Sequence, residues 1–388
     1  MKFVLASIAV AAAAVAAPAQ AQNTIRIGIA LSETGNLADS AKHYWRGVEL
    51  WRDQTNAAGG LLGKKVEFVV YDDRSDAATS ARLYERLITS DKVDLLVSTI
   101  GSAQAATATA VAEKHKRIMI NGGGASESIQ QRGFKYIFQT AARISAYVDG
   151  IEPLMKKYNV KSMAFVSRDY AAARDMEKVV KGQAQRNGVN MVMDEYFPSG
   201  NVDFSSQIAR ARQSKPELWV SVGYPNEAIE MMRQFRASNY TPKIFVHNGV
   251  AQEDFVKATG KDGEGAIGMS LYEPSLKTSG NAEFVKNFKA RYNYEPGYYS
   301  SFGYNAVYVL GEAVMKAGSI DQEKLRETLT TMKLDTVMGK HEVEPKTGMQ
   351  IGIRGLLVQV QNGKREIIWP EELKSAEAKV PMPGSDAK

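Results

Sequence analysis

The sequence contains no cysteine, and its four histidines stand far apart. The absence of cysteine excludes disulfide bonds, thiol nucleophiles and thiolate metal ligands, so the folded chain must be held together by its hydrophobic cores. No two histidines have the spacing of a local zinc-binding motif, so no metal site is expected. The histidines are His43, His115, His247 and His341.

The sequence also lacks the local motifs of common hydrolases and nucleotide-binding proteins. It has no G-x-S-x-G elbow and no Walker loop, and the triple glycine Gly122–Gly124 does not continue into G-x-G-x-x-G. No cofactor is therefore expected. An enzyme with catalytic residues dispersed over several loops stays an alternative, because such an arrangement has no local signature.

The formal net charge is only +6, and acidic and basic residues are interspersed along the chain. The densest basic run, Lys114–Arg117, follows a helical segment, where cations stabilise the carboxyl end of a helix. We therefore predict a mixed surface with no nucleic-acid-binding patch.

The first 21 residues have the pattern of a secretory signal peptide. Lys2 precedes an apolar stretch from Phe3 to Ala17, and Ala19 and Ala21 form an Ala-x-Ala site. The pattern predicts cleavage between Ala21 and Gln22 and export to the periplasm. There is no lipobox cysteine, and after residue 21 no apolar run approaches the roughly 20 residues of a membrane span.

Short β-branched runs alternate with helical patterns, which predicts an α/β protein with parallel sheets. A first series runs from strand Thr24–Leu31 to strand Arg117–Ile120, and a second runs from helix Tyr147–Tyr158 to strand Lys243–His247. Helices follow over residues 281–332, then strands up to Trp369. The tail, 375–388, is rich in Ala, Lys and Pro, and this composition predicts disorder.

Five segments, in this order and spacing, resemble the periplasmic binding proteins of the branched-chain amino acid (Leu/Ile/Val-binding) ABC transporter family. The resemblance covers essentially the whole chain after the signal peptide. The segments are Ile27–Gly35, Gly47–Gly60, Tyr71–Asp73, Ile118–Gly123 with Gln131–Phe134, and Tyr224-Pro225 ahead of Met232–Gln234.

The resemblance implies a type I fold with two doubly wound parallel-sheet lobes and three hinge crossings. One lobe comprises residues 24–141 plus 272–340, and the other 142–270 plus 345–370. A small molecule binds in the cleft, and the partners are ABC transporter permease subunits in the inner membrane. The protein is expected to be a monomer that binds no nucleic acid and is not an enzyme.

The resemblance also implies an anion site at two strand ends of the first lobe. The family's carboxylate-binding hydroxyl falls on Ser102, next to Gly101. At the following strand end, Gly123 and Gly124 precede Ala125, and glycines there would let backbone N–H groups approach an anion closely. We therefore expect this end of the cleft to hold a carboxylate.

Aromatic residues line the second lobe's side of the cleft in this family, and Tyr170 and Tyr224 match those positions. Both follow predicted strand ends, so we expect them to contact the ligand. Tyr298 and Tyr299 are also near in the family pattern, but there we favour packing.

Three positions depart from the family pattern. Asn248, beside His247, stands where family members place the acid that binds an α-ammonium; Ala125 replaces a carboxylate-binding threonine; Ser40 replaces a tyrosine. The leading hypothesis is therefore a receptor for a small carboxylate, an aromatic or other apolar organic acid without an α-amino group. A branched-chain or other amino-acid or amide receptor is the alternative within this class; an exported enzyme or a sensor domain is the alternative outside it.

Overall fold

The computed structural model describes residues 24–385, except the side chain of Glu253. The predicted signal peptide, 1–21, lies outside the described residues. The strands are β1 (Thr24–Leu31), β2 (Lys65–Asp72), β3 (Leu95–Val97), β4 (Met119–Asn121), β5 (Ile137–Gln139), β6 (Ser162–Arg168), β7 (Asn190–Phe197), β8 (Leu218–Ser221), β9 (Ile244–His247), β10 (Ile267–Ser270), β11 (Leu334–Thr336), β12 (Gly339–His341), β13 (Leu356–Gln361) and β14 (Lys364–Trp369).

Helices lie between most of these strands. They are α1 (Ala38–Ala57), α2 (Ala77–Thr89), α3 (Ser102–Lys114), α4 (Glu127–Gln130), α5 (Ile144–Tyr147), α6 (Ile151–Lys157), α7 (Ala171–Arg186), α8 (Ser205–Ser214), α9 (Pro225–Ala237), α10 (Glu253–Thr259), α11 (Asn281–Tyr292), α12 (Tyr298–Ala317) and α13 (Gln322–Thr331). Among the described residues, no helix combines the length and hydrophobicity that a membrane span requires.

The two main sheets repeat one strand order. The first is a five-stranded sheet with the order β2-β1-β3-β4-β5, and all its pairs are parallel. The second has the order β14-β13-β10-β9-β8-β6-β7, in which β7-β6-β8-β9-β10 is parallel and reproduces the first sheet's order. β13 and β14 add an antiparallel edge. The predicted fold class, two doubly wound lobes, is confirmed.

Parallel strands covered by helices on both faces have continuous apolar sequences, and β3, β4 and β8 are buried at every position. The sequence pattern therefore located most elements within two residues. It missed the three-residue strand β5, and it merged α5 and α6 into one helix, although the backbone turns at Val148–Gly150 between them.

Helices α1 and α12 pack closely and place residues of the first lobe at the cleft. A Cβ on Gly47 would lie 2.0 Å from the Ser300 carbonyl oxygen, and one on Gly303 would lie 1.9 Å from the Tyr44 carbonyl oxygen. Only glycine allows this backbone approach. The contact fixes the amino-terminal turn of α12, with Tyr298 and Tyr299, beside the first sheet.

The chain passes between the two sheets three times, after β5, after β10 and after β12. We therefore propose lobe limits of 24–141 plus 272–340 and of 142–270 plus 345–370. These connections are the places where the backbone would bend if the lobes moved apart.

Residues 375–385 do not follow the disordered course expected from their composition. The buried Gln359 side chain donates to the Lys379 carbonyl at 2.8 Å, Gln361 donates to the Glu377 carbonyl at 2.7 Å, and the Met382 N–H donates to the Lys243 carbonyl at 2.9 Å. Glutamine side chains in a strand can satisfy a neighbouring segment's backbone, and composition does not report this.

Candidate functional site

A small cavity lies between the lobes, where strands of both sheets end. Its volume is about 40 Å³, enough for only a few water molecules, so the lobes lie close together around it. None of the side chains that line it carries a charge. The lining residues are Ile100, Gly101, Ser102, Gly123, Ala125, Ile144, Tyr147, Tyr170, Ala172, Gly223, Tyr224, Asn248, Tyr298, Tyr299 and Phe302. We call this space the central cavity.

Ser102 lies on the central cavity as the first residue of α3, and Gly101 caps that helix. The Ser102 hydroxyl accepts the Ser126 N–H at 3.3 Å, which leaves its own proton to donate. The first N–H groups of a helix have no partner within the helix, and the helix dipole is positive at this end. The site can therefore stabilise an anion beside Ser102.

The triple glycine does not form the expected anion nest. The Gly124 N–H donates to the Asn121 side chain at 2.9 Å, and Gly124 lies outside the cavity lining. The Gly122 N–H donates to Ser98 at 3.2 Å. Gly123 does line the cavity, but its lack of a side chain is needed because a Cβ would lie 2.6 Å from the Ile100 Cα. The glycines therefore allow neighbouring strand ends to pack closely. Gly124 does not line the central cavity.

Tyr170 and Tyr224 form the second lobe's wall of the cavity. They occupy equivalent positions, directly before α7 and α9, and their rings stack with centroids 6.1 Å apart and an angle of 30° between the planes. Burial between the lobes raises the pKa of both hydroxyls. The pair offers a flat apolar face with neutral hydroxyls at its edge.

Three further tyrosines line the cavity, and sequence reasoning either missed them or assigned them to packing. Tyr298 and Tyr299 begin α12 with ring centroids 4.4 Å apart, and Tyr147 ends α5. Burial raises the pKa of all three. Ile144 and Phe302 add apolar surface. The cavity is thus mainly aromatic, a property that no local motif announces.

Asn248 presents an amide to the cavity in a defined orientation. Its Oδ1 accepts the Gly223 N–H at 2.9 Å, so the amide nitrogen is left to donate. His247 lies beneath the cavity, fully buried, and its Nδ1 accepts the Gly249 N–H at 2.8 Å. Burial lowers the pKa of His247 to about 3. His247 therefore supports the turn that carries Asn248 and, contrary to expectation, does not reach the cavity.

Two chambers adjoin the central cavity. The acidic chamber, which shares Tyr224 and Tyr299 with the cavity, contains Ser40 together with Asp39 and Asp254. Ser40 is thus next to the central cavity and not on it. The arginine chamber is lined by Arg168 and shares Ser102, Tyr170 and Tyr224 with the cavity.

Arg168, on the lining of the arginine chamber, forms a buried ion pair with Glu227 that sequence reasoning did not find. Arg168, 9% exposed at the end of β6, contacts the Glu227 carboxylate at 3.1 Å, and its guanidinium lies 4.8 Å from the Tyr224 ring centroid. Burial raises the pKa of Glu227. Glu227 also accepts the Tyr224 N–H, so the pair holds Tyr224 through its backbone and its ring.

Hydrogen bonds and a histidine–carboxylate contact cross between the lobes around the cavity. Asp175 of α7 accepts from the Ser126 hydroxyl and the Glu127 N–H, and Asn36 donates to Ser199 at 2.9 Å. His43 of α1 lies 3.6 Å from the carboxylate of Asp254 of α10. These contacts describe closed lobes. No cluster of His, Asp or Glu within residues 24–385 could hold a metal ion.

Comparison with known proteins gives consistent results. The Periplasmic binding protein family matches residues 24–364. An amino acid binding protein of Pseudomonas aeruginosa is 26% identical over 84% of this chain and 87% of its own.

Solved structures of two kinds share the fold. A branched-chain amino acid transporter substrate-binding protein of Streptococcus pneumoniae, in complex with isoleucine, superposes with a TM-score of 0.80 at 24% identity, covering 92% of this chain and 100% of that one. An ABC transporter solute-binding protein of Rhodopseudomonas palustris, in complex with 3,4-dihydroxybenzoic acid, superposes with a TM-score of 0.82 at 23% identity, covering 93% and 99%. The chain belongs to the Periplasmic binding protein family and is a non-catalytic solute-binding protein.

Proposed function

We propose that this protein binds a small carboxylate with an aromatic or other apolar body and without an α-ammonium group. The carrying observation is the orientation of Asn248. Because its side-chain oxygen accepts the Gly223 N–H, the Asn248 amide nitrogen is free to donate to the cavity, and a neutral amide carries no charge that could balance a cation. An ammonium group is itself a donor, whereas a carboxylate, carbonyl or hydroxyl oxygen can accept from Asn248.

The charges around the cavity support the same proposal. No acidic side chain lines it, and the neighbouring carboxylate of Glu227 is already paired with Arg168. An ammonium group left without a partner in a closed cleft would cost about 3–5 kcal/mol, enough to convert micromolar into millimolar binding. A carboxylate meets Ser102 and the amino end of α3 instead, and tyrosine rings can pack on an apolar body.

An amino-acid receptor is the second candidate. It is favoured by the amino acid binding protein among the relatives and by Asp39 and Asp254, which line the acidic chamber next to the cavity. Asp254, however, is engaged by His43, and Asp39 is exposed, so neither is a buried, available acid.

A thermal-shift panel tests the proposal. A ligand at about 100 times its dissociation constant stabilises the folded protein by about 2.7 kcal/mol, which raises the melting temperature measurably. Benzoate, hydroxybenzoates, cinnamates and oxo acids should shift the protein, and leucine, isoleucine and valine should not. The reverse result would establish the amino-acid receptor.

We also propose that the carried ligand is handed to permease subunits in the inner membrane, after export and cleavage behind Ala21. N-terminal sequencing of periplasmic material should give Gln22 as the first residue. Retention of Met1 would contradict the cleavage site.

A further inference from the structure

The arginine chamber adjoins the central cavity. Both are lined by Ser102, Tyr170 and Tyr224, and the chamber has a volume of about 270 Å³. Its walls come from both lobes, with Asn36 on one side and Arg168 on the other. A ligand held at Ser102 that extends past the tyrosines therefore enters the chamber.

The chamber presents hydrogen-bond donors. The Ser199 hydroxyl oxygen accepts from the Asn36 amide at 2.9 Å and from the Arg168 guanidinium. Both of its lone pairs are then in use, so its own proton remains to donate. Arg168 has five N–H donors, of which the contacts to Glu227 and Ser199 account for two. An acceptor oxygen in this chamber would therefore meet suitable partners.

The chamber has no surplus positive charge to offer. Arg168 is neutralised by Glu227 at 3.1 Å, and Asp169, the other charged residue on the lining, is bound by Arg174 at 2.7 Å. A second carboxylate would meet no unpaired cation here and would be repelled by the nearby carboxylate of Glu227. An uncharged oxygen can accept the same hydrogen bonds without that cost.

We propose that the arginine chamber is a subsite for a second, uncharged oxygen of the ligand, a hydroxyl or carbonyl on the apolar body of the carboxylate. Ser199 and Arg168 donate to this oxygen. The inference rests on the proposed function for the carboxylate itself and adds the substituent that determines specificity.

The test is calorimetry with benzoate, the three monohydroxybenzoates and isophthalate. At least one hydroxybenzoate should bind the unaltered protein roughly threefold to tenfold more tightly than benzoate, the effect of one neutral hydrogen bond. Ser199→Ala should remove this gain. Ser199 is exposed, so the variant should fold, and circular dichroism checks that it does. Isophthalate, with a second carboxylate, should bind more weakly than that hydroxybenzoate.

Two control variants separate this role from lobe closure. Asn36→Ala removes the bond between the lobes but keeps the Ser199 hydroxyl, so it should weaken benzoate and hydroxybenzoate by the same factor. Ser206→Ala, on the exposed face of α8, should change neither.

The outcomes are distinguishable. Any of three results would overturn the subsite and leave the carboxylate function standing. Ser199→Ala weakens the binding of benzoate and hydroxybenzoate by the same factor, no hydroxybenzoate binds more tightly than benzoate, or isophthalate binds most tightly of all. If none of the five compounds binds, the subsite proposal fails, and the cinnamates and oxo acids of the thermal-shift panel decide the carboxylate function.

Discussion

Asp175, in the second lobe, accepts a hydrogen bond at 2.5 Å from the hydroxyl of Ser126, in the first. The same carboxylate accepts the Glu127 N–H at 3.0 Å. Asp175 lies on the first turns of α7, the helix that begins directly after Tyr170. The segment from Tyr170 to Asp175 therefore carries both an aromatic side chain of the cavity and a contact between the lobes. Both donors belong to the first lobe, so closing the lobes gives this carboxylate its two donors.

Asp175→Asn should destabilise the closed form. An amide is a weaker acceptor than a carboxylate, and a loss of about 1 kcal/mol, roughly fivefold in affinity, is expected. Most of the change should appear as faster ligand release, because closure contacts are lost on dissociation. Stopped-flow measurement checks this. Asp203→Asn, which alters a carboxylate that bonds within its own lobe to Ser205, is the control. An unchanged release rate would show that the Asp175 contact does not hold the lobes together.

Ser102→Ala should weaken carboxylate binding by roughly tenfold to a hundredfold. A hydrogen bond to a charged group contributes about 1.5–3 kcal/mol, and the Ser102 proton has no other assigned acceptor. Calorimetry with the best ligand of the thermal-shift panel measures the effect, with Ser206→Ala as the matched control. Equal dissociation constants for Ser102→Ala and the unaltered protein would remove Ser102 from the site.

Asn248→Asp should reverse the ligand preference. One carboxylate oxygen can still accept the Gly223 N–H, and the other becomes an acceptor facing the cavity. The buried negative charge should repel simple carboxylates and stabilise an α-ammonium, so leucine or isoleucine should begin to raise the melting temperature while benzoates lose their effect. Asn190→Asp, on the exposed start of β7, is the control. Retained benzoate binding without any gain for amino acids would contradict the role given to Asn248.

Buried histidines should make the fold sensitive to mild acid. The pKa of His247 is lowered to about 3 and that of His341 to about 4, both by burial, whereas a histidine in the unfolded chain titrates near 6.5. Between pH 6.5 and 4 the unfolded chain binds protons that the folded protein does not. The free energy of unfolding should therefore fall as the pH falls, by up to about 1.4 kcal/mol per pH unit for each histidine.

His247→Asn tests this titration. Asparagine can still accept the Gly249 N–H but does not ionise, so the variant should lose less stability between pH 7.5 and pH 5 than the unaltered protein, by about 2 kcal/mol. Urea unfolding at the two pH values measures the difference. Glu227 and Glu273, whose pKa values burial raises, oppose the trend equally in both proteins and cancel in the comparison. Parallel pH dependences would show that His247 is not the titrating group.

The sequence predicted the fold well because the strands of a doubly wound sheet are buried on both faces and read as short apolar runs. It also pointed to strand ends as candidate positions, and Ser102, Tyr170, Tyr224 and Asn248 lie around one cavity. Strand ends are local features, and the resemblance to a family supplied their order in space.

The remaining features depend on contacts between residues distant in sequence. The Gly124 N–H donates to an asparagine side chain, which a run of glycines in the sequence does not reveal. His247 is fully buried and accepts the Gly249 N–H, which a single histidine in the sequence does not reveal either. Tyr298 and Tyr299 look like ordinary packing residues until α12 is placed beside the cleft. Arg168 and Glu227 are 59 positions apart, and no spacing rule connects them.

The neutral lining of the central cavity has a consequence for conditions outside the cell. The side chains that line the cavity include no carboxyl or imidazole group, so the lining itself should not make ligand binding depend on pH between pH 5 and pH 8. A benzoate-like anion keeps its charge down to about pH 4, near the value of ordinary carboxyl groups. Screening by dissolved salt should also have little effect, because the attraction comes from oriented dipoles at close range and not from distant charges.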